Sequence, residues 1–407
     1  MKTFLVGGFV RDTLMGLYPN DHDYVVVGST PEGMLSSGFK QVGADFPVFL
    51  NYRGDEYALA RTERKTGSGY GGFDCEWEGV TLEEDLSRRD LTINSIARDE
   101  EGNLIDPFNG QQDIRDKVLR HTSDAFAEDP VRVLRVARFL ARFGPEWSVA
   151  PETKSLCIKV WAQDSWHLTK ERVFKEMEKA LSEPHPHLFF EFLSEFDLWW
   201  FPSLWMEKGI PQPPEHHPEG DVFTHTMLCL QEGVKLRASA REQFAILCHD
   251  LGKPVCWEAR GNLHGHEKSG LPHVEALCDK LGVPKAWRDL ALKVCEWHQY
   301  SHKILEVAPK KVHKLIKALD CVRKPDILHS FLKCNIADAR GRTEKFHDRP
   351  YPQADYLREC LFAVREVDCG AIWTEAVRKG MSVELRQEAI RVAQIHAIRG
   401  VKNQWKN

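Results

Sequence analysis

Two neighbouring stretches decide the reading: Phe4-Leu5-Val6-Gly7-Gly8-Phe9-Val10-Arg11-Asp12 and Asp21-His22-Asp23-Tyr24-Val25-Val26-Val27-Gly28. The first is an apolar run that stops at two glycines and restarts with helix-compatible residues, the pattern of a strand, a tight turn and a helix. Such a turn lets backbone N–H groups approach a phosphate at a helix N-terminus, and Arg11 adds a charge-assisted contact. The dinucleotide spacing G-x-G-x-x-G is absent,. The second stretch is β-branched and predicts a buried strand over Tyr24–Val27,. Residues i and i+2 of a strand point to the same side, so Asp21 and Asp23 can share hard cations such as Mg²⁺ through oxygen ligands. Two such cations about 3.5–4 Å apart activate an attacking hydroxyl and stabilise a leaving pyrophosphate. An isolated D-x-D is an ordinary acidic turn; the Gly-Gly turn shortly before it favours the metal reading.

Further along, Val48-Phe49-Leu50 and Glu56–Ala60 read as strands, Thr92–Ala97 as a strand or a helix start, and Lys65–Gly72 as a mobile glycine-rich loop,. From about residue 125 the pattern turns helical. Asp129-Pro130 is a helix start, and Leu188-Phe189-Phe190 opens another helix. Gly209–Gly220 holds four prolines and reads as a linker, a second helical unit runs from Val222 to Asp338, and Pro350 and Pro352 precede a last helical stretch. No internal repeat is visible. Within the helix after Asp129, Arg132, Arg135, Arg138 and Arg142 fall in a sector of about 120° with no acid among them,. This stripe reads as a wall for a triphosphate and a base, whose edge Asp and Arg side chains can read through fixed donors and acceptors.

The chain has 407 residues, enough for two to four domains,. Its 42% hydrophobic and 28% charged residues are a soluble globular balance,. Uninterrupted apolar runs of membrane-spanning length are missing, and the N-terminal apolar run is too short for a signal peptide, so a cytoplasmic protein is expected. The 11 cysteines form no C-x-x-C pair, which predicts buried, reduced thiols,. Net charge is −5, but residues from 301 onward carry 21 Lys and Arg against 13 Asp and Glu. A basic quarter on an acidic protein suits either a polyanion contact or a solvated helical face.

Taken together, Gly7-Gly8-Phe9-Val10-Arg11-Asp12, Asp21-x-Asp23, Arg88-Arg89-Asp90-x-Thr92-Ile93-Asn94 and Glu128-Asp129-x-x-Arg132 resemble the motifs of class II CCA-adding tRNA nucleotidyltransferases, of the polymerase-β-like superfamily. The resemblance extends over essentially the whole chain, because the bacterial long form carries a C-terminal HD domain. It implies an α+β fold: a nucleotidyltransferase head with a small mixed sheet at 1–125, a helical neck and body at 126–215, an HD phosphohydrolase domain at 216–340 and a helical tail at 341–407. It implies Mg²⁺ on Asp21 and Asp23, a triphosphate pocket of Gly8, Arg11, Arg89, Arg135 and Arg138, and base reading by Asp129 and Arg132. It makes Lys65–Gly72 the loop used in switching to A addition. The implied partners are tRNA, CTP and ATP, with no membrane and a monomer or homodimer.

His225, His249-Asp250 and Asp338 lie in helical context and resemble the HD phosphohydrolase motif. Imidazole and carboxylate donors suit a divalent transition metal, nickel among them, or Mg²⁺, and the multifunctional members of the family imply phosphatase and 2′,3′-cyclic phosphodiesterase activities. His264, His266, His273 and His298 lie downstream, and for His273 and His298 the role is left open between binding substrate phosphate and none. The competing readings are a poly(A) polymerase, an enzyme adding only CC or only A, and an HD phosphohydrolase with a nucleotide-sensing head.

Overall fold

The computed structural model describes residues 1–19, 22–42, 48–65 and 73–405. Asp21 and almost all of the Lys65–Gly72 stretch lie outside the described residues. Contacts divide the chain into two units, Met1–Glu176 with Glu195–Trp199 and Met177–Ser194 with Trp200–Asn407.

In the first unit the strands are β1 (Lys2–Val6), β2 (Asp23–Val27), β3 (Lys40–Val42), β4 (Val48–Leu50), β5 (Glu56–Leu59), β6 (Thr62–Lys65), β7 (Phe73–Glu76), β8 (Ala97–Arg98), β9 (Leu104–Ile105) and the paired β10 (Val118–Leu119) and β11 (Ser148–Val149). Seven of them form one sheet in the order β3-β4-β5-β2-β1-β8-β9, and β6 and β7 pair separately. β2 runs parallel to β5 and antiparallel to β1. The sheet is mixed, and with the helical remainder the class is α+β.

The run Val25-Val26 is continuously apolar because both faces of the sheet are covered. Val25 packs with Val6, Leu86 and Ala97 on one face, and Val26 packs with Met34, Phe49 and Leu59 on the other. Leu86 belongs to the helix Leu82–Ser87, which starts with a capping box between Thr81 and Glu84,. Packing of Leu86 on the face of Val25 delivers the residues after that helix, Arg88 and Arg89, to the edge of the sheet where β2 begins. The ambiguous Thr92–Ala97 segment is a 3₁₀ turn, Thr92–Asn94, followed by β8.

The helix expected after Asp129 spans Val131–Phe143 and buries Val133, Leu134, Val136, Ala137 and Ala141. Asp129 Oδ1 accepts the Val131 N–H at 3.1 Å. The segment Glu195–Trp199 belongs to this unit through Trp161, whose indole N–H donates to Asp197 at 3.0 Å.

The second unit is helical. Ala240–Leu247 packs against Val222–Lys235, Lys285–His302 and Pro325–Arg340, and the last helices are Pro352–Arg365, Cys369–Arg378 and Val383–Gln404. The expected linker at 209–220 is instead a closed loop. Its ends meet where Pro211 bridges Asp221 and where the Gln212 N–H donates to Gly220 O at 3.1 Å. Asp221 then caps the next helix through the Thr224 N–H at 2.8 Å. The ten cysteines from Cys157 to Cys369 are all free. Among the described residues no helix is long and apolar enough to cross a membrane.

Candidate functional site

In the first unit the site begins with strand register. Val6 pairs with Asp23 across β1 and β2, so the turn that follows Val6 lies beside the carboxylate that opens β2. Gly7 has φ 67° and ψ −133°, a backbone region that residues with a Cβ avoid. A Cβ there would stand 3.3 Å from Arg89 Nη1 and 3.7 Å from Asp23 Oδ2. One at Gly8 would stand 3.5 Å from Arg11 Nη2. The glycines, Asp23, Arg11 and Arg89 therefore surround one small volume.

The arginines are held from behind by acids. Arg11 is buried; it donates to Asp12 at 2.7 Å and to Asn94 at 2.6 Å. Burial lowers its pKa while Asp12 opposes the shift. Arg142 donates to the other oxygen of Asp12 at 2.8 Å. Arg135 donates to Asp90 at 2.7 Å, and Asn94 donates to the same carboxylate at 2.9 Å. Burial alone would raise the Asp90 carboxyl, but Arg135 and Asn94 outweigh it and hold it well below the usual carboxylate range,. Arg138 and Glu176 form a buried pair at 2.6 Å. Arg132 donates to Ala125 O at 2.6 Å and to Arg88 O at 2.7 Å. The arginine stripe read from the sequence is thus a set of individually anchored cations. Anchoring also offsets the mutual repulsion that a bare stripe would suffer.

Three residues in this frame escaped the sequence reading. Asp85, fully buried, takes Arg88 at 2.6 Å and Arg89 at 3.2 Å; an acid three and four positions before two arginines on a helix was the available signal. Arg172 donates to Asp129 Oδ2 at 2.6 Å, and Glu176 holds Arg138. Neither of these has a local signature. Arg89 Nε is buried and makes no hydrogen bond to the protein.

In the second unit, the helices Val222–Lys235 and Pro325–Arg340 and the turn after Ala240–Leu247 bring His225, His249, Asp250 and Asp338 together. His225 Nε2 lies 3.2 Å from Asp338 Oδ1 and 3.9 Å from Asp250 Oδ2. His249 Nε2 lies 3.0 Å from Asp250 Oδ2 and 3.9 Å from Asp338 Oδ1. Lys253 Nζ stands 2.5 Å from Asp250 Oδ2. His225 Nε2 and Asp338 Oδ1 are hydrogen-bonded, whereas both Asp250 oxygens and His249 Nε2 are buried with no hydrogen-bond partner. Their lone pairs converge on common points, as a ligand set does. Burial opposes protonation of His249, but Asp250 and Asp338 outweigh it and raise its pKa to about 9. Both aspartates are held well below the ordinary range despite burial, Asp250 chiefly by His249 and Asp338 chiefly by His302.

His298 and His266 join this cluster, whereas His273 lies away from it beside Ser203. His302 and Glu219 are further members that the sequence reading missed. His302 Nε2 meets Asp338 Oδ2 at 2.6 Å, and Glu219 Oε1 lies 2.9 Å from His225 Nδ1. His298 and His302, i and i+4 on one helix, were the available signal for His302. Gly252 is required here, since a Cβ would stand 2.1 Å from the His266 carbonyl oxygen. In the C-terminal quarter, Arg358, Arg378 and Arg391 pair with acids three residues before them.

A Multifunctional CCA protein of Thioalkalivibrio sulfidiphilus is 49% identical over 413 residues, spanning the whole of both chains. The chain belongs to the multifunctional CCA protein family. A second Multifunctional CCA protein, from Mannheimia succiniciproducens, is 46% identical over 93% of each chain. The Poly A polymerase head domain family matches residues 3–120, the part of the first unit that carries the sheet and the Gly7 turn. In fold, the chain is similar to the Bacillus stearothermophilus CCA-adding enzyme in complex with CTP, with a TM-score of 0.64 at 22% identity over 98% of this chain and 89% of that one. It is likewise similar to the Thermotoga maritima CCA-adding enzyme complexed with tRNA, with a TM-score of 0.62 at 18% identity over 99% and 91%. Membership in the multifunctional CCA proteins covers both units, because the 49% relative spans both.

Proposed function

We propose that this chain adds and repairs the 3′-terminal CCA of tRNA with CTP and ATP, without a nucleic-acid template. The observation that carries the reading is the convergence of Asp23, Arg89 and Arg11 on the Gly7-Gly8 turn. An exposed carboxylate at a strand end, beside a turn that a Cβ would obstruct, is a hard oxygen donor next to room for a phosphate, and this donor set fits Mg²⁺. Asp21 and Asp23 would hold the ion, which supplies charge neutralisation and activates the tRNA 3′-OH. Arg11 and Arg89, with Gly8, orient the triphosphate; Arg135 and Arg138 complete its pocket. Asp129 and Arg132 read the base edge. Because these groups are pre-anchored, little reorganisation is left to the reacting complex.

For the second unit we propose a metal-dependent phosphohydrolase with phosphatase and 2′,3′-cyclic phosphodiesterase activities. The converging lone pairs of His249 and Asp250 support it, and imidazole donors favour a divalent transition metal such as Ni²⁺,. Functionally we keep the division into a head at 1–125, a neck and body at 126–215, an HD part at 216–340 and a tail at 341–407.

The test is a tRNA lacking its 3′ CCA, supplied with CTP, ATP or both. The proposal expects CCA completion only with both nucleotides. A long A tract would indicate a poly(A) polymerase, CC or A alone a partial enzyme, and no addition by folded protein with Mg²⁺ would overturn the reading.

Arg172→Ala releases one oxygen of Asp129 and loosens the base-reading pair. The expected result is a loss of about tenfold in discrimination of CTP and ATP against GTP and UTP, since a bidentate base contact is worth about 1–3 kcal/mol. Unchanged misincorporation would remove Arg172 from that role.

A further inference from the structure

We propose that Phe139 and Phe143 form an aromatic platform that positions the arginines of the triphosphate pocket, Arg11, Arg135 and Arg138, for CTP and ATP alike. The proposal rests on the nucleotide-adding reading of the first unit and gives two phenyl rings a task assigned so far only to charged groups.

The stretch Arg138-Phe139-Leu140-Ala141-Arg142-Phe143 repeats an Arg-Phe pair about one helical turn later,. Both rings therefore lie on one side of the helix Val131–Phe143, stacked with centroids 5.6 Å apart and planes 11° apart. Trp147 continues the stack, 4.6 Å from Phe143. Arg135, one turn before Phe139, reaches the same ring. The guanidinium carbons of Arg138, Arg11 and Arg135 stand 4.7, 5.1 and 5.7 Å from the Phe139 centroid. Arg11 comes from a different helix, Gly8–Leu14, and also lies 5.5 Å from the Phe143 centroid, while Arg142 lies 5.9 Å from it. All five separations fall inside the roughly 6 Å within which a ring face attracts a cation.

Acids and rings do different things to these cations. The carboxylates of Asp12, Asp90 and Glu176 bind guanidinium N–H groups, and each cancels charge while it holds. A phenyl ring carries no net charge. Its quadrupole attracts the guanidinium through the ring face, so it restrains the cation and leaves the charge to act on a phosphate. A hydrogen bond at one edge lets a guanidinium swing about that bond; a second contact, on a ring, stops the swing. The surroundings strengthen the attraction. Phe139, Arg11 and Arg138 are buried, and a cation–ring contact is worth more once water is removed. Phe139 also couples two helices. Three cations from Gly8–Leu14 and Val131–Phe143 are tied to one centroid, so the ring sets their mutual spacing, which three separate acids would not. The triphosphate is common to CTP and ATP, so this spacing acts on both nucleotides equally and leaves base reading to Asp129 and Arg132.

The experiment replaces Phe139 in the full-length chain with mono-, di- and trifluorophenylalanine, which drain the ring face of negative potential at nearly constant shape. Phe139→Leu is made separately. Addition of CTP to tRNA lacking CCA, and of ATP to tRNA ending in CC, gives KM and kcat. KM for both nucleotides should rise stepwise with the number of fluorines and reach about tenfold in Phe139→Leu. The kcat should stay within about twofold of the wild type, the signature of lost substrate binding, and misincorporation of GTP and UTP should not change. Fluorinated chains that match the wild type in KM would mean that the ring acts through packing alone. That result overturns the proposal whatever Phe139→Leu does, a failure to fold included. A rise in KM for one nucleotide only would place Phe139 at the base and overturn it too. A wild type that adds neither CTP nor ATP overturns the nucleotide-adding reading itself.

Discussion

Asp23→Ala should lower CCA addition by on the order of 10³-fold while leaving the chain folded. Metal-borne charge stabilisation is worth several kcal/mol, and each 1.36 kcal/mol is a factor of ten. Asp23 is exposed at the first position of β2, so its side chain contributes no core packing, and the change in stability should stay within about 1 kcal/mol. Single-turnover addition to tRNA ending before CCA measures the first effect and urea unfolding the second. Phosphohydrolysis by the second unit should persist in Asp23→Ala, and Asp250→Ala should show the opposite pattern. Retention of more than a tenth of the addition rate in Asp23→Ala would remove this carboxylate from the catalytic centre.

Asp85→Ala should be the most destabilising single change in the frame of the first unit, by about 3 kcal/mol. Its side chain is 0% exposed and takes charge-assisted bonds from Arg88 and Arg89, which are 17% and 21% exposed. Breaking a buried pair by removing one partner costs about 3–5 kcal/mol, and the partial exposure of the arginines places this case at the low end. Burial would raise the Asp85 carboxyl, but Arg89 and Arg88 outweigh it, so its folded pKa lies below the ordinary value. A depressed carboxyl pKa contributes stability that is present above the unfolded pKa and is lost as pH falls through the folded one. The gap between wild type and Asp85→Ala should therefore be full at neutral pH and close on acidification. A gap that stays constant below the ordinary carboxylate range would mean packing rather than charge. Nucleotide KM should also rise, since Arg89 loses the Asp85 carboxylate that holds it beside the Gly7 turn.

Parts of this molecule were legible in consecutive residues. The stop of an apolar run at Gly7-Gly8, the β-branched run after Asp23 and the cap before Val131 are local physics, and β1, β2 and the helix Val131–Phe143 lie where those signals place them. Thr92–Ala97 was ambiguous because its apolar and polar residues satisfy both periods; it became a 3₁₀ turn with Thr92 bound to Asp113 at 2.6 Å. The proline-rich segment 209–220 misled because proline content reports only a stiff, non-helical backbone. It does not report that the two ends close and that Glu219 turns toward His225.

By itself the sequence determined the α+β class, the pairing of a glycine turn with an acidic strand start, and the His, His-Asp and Asp positions of the second unit. The turn and strand start depend on residue type and short spacing, which backbone geometry translates directly into position; the class and the set in the second unit, spread over 113 positions, were legible through the family resemblance. Only the tertiary structure decided what holds the arginines and how the histidines group. Arg142 meets Asp12 across 130 positions, Arg138 meets Glu176 across 38 and His266 meets His298 across 32. Such pairs are chosen by which buried charges and lone pairs must be satisfied once the helices have packed. That requirement acts through space and leaves no trace in sequence spacing.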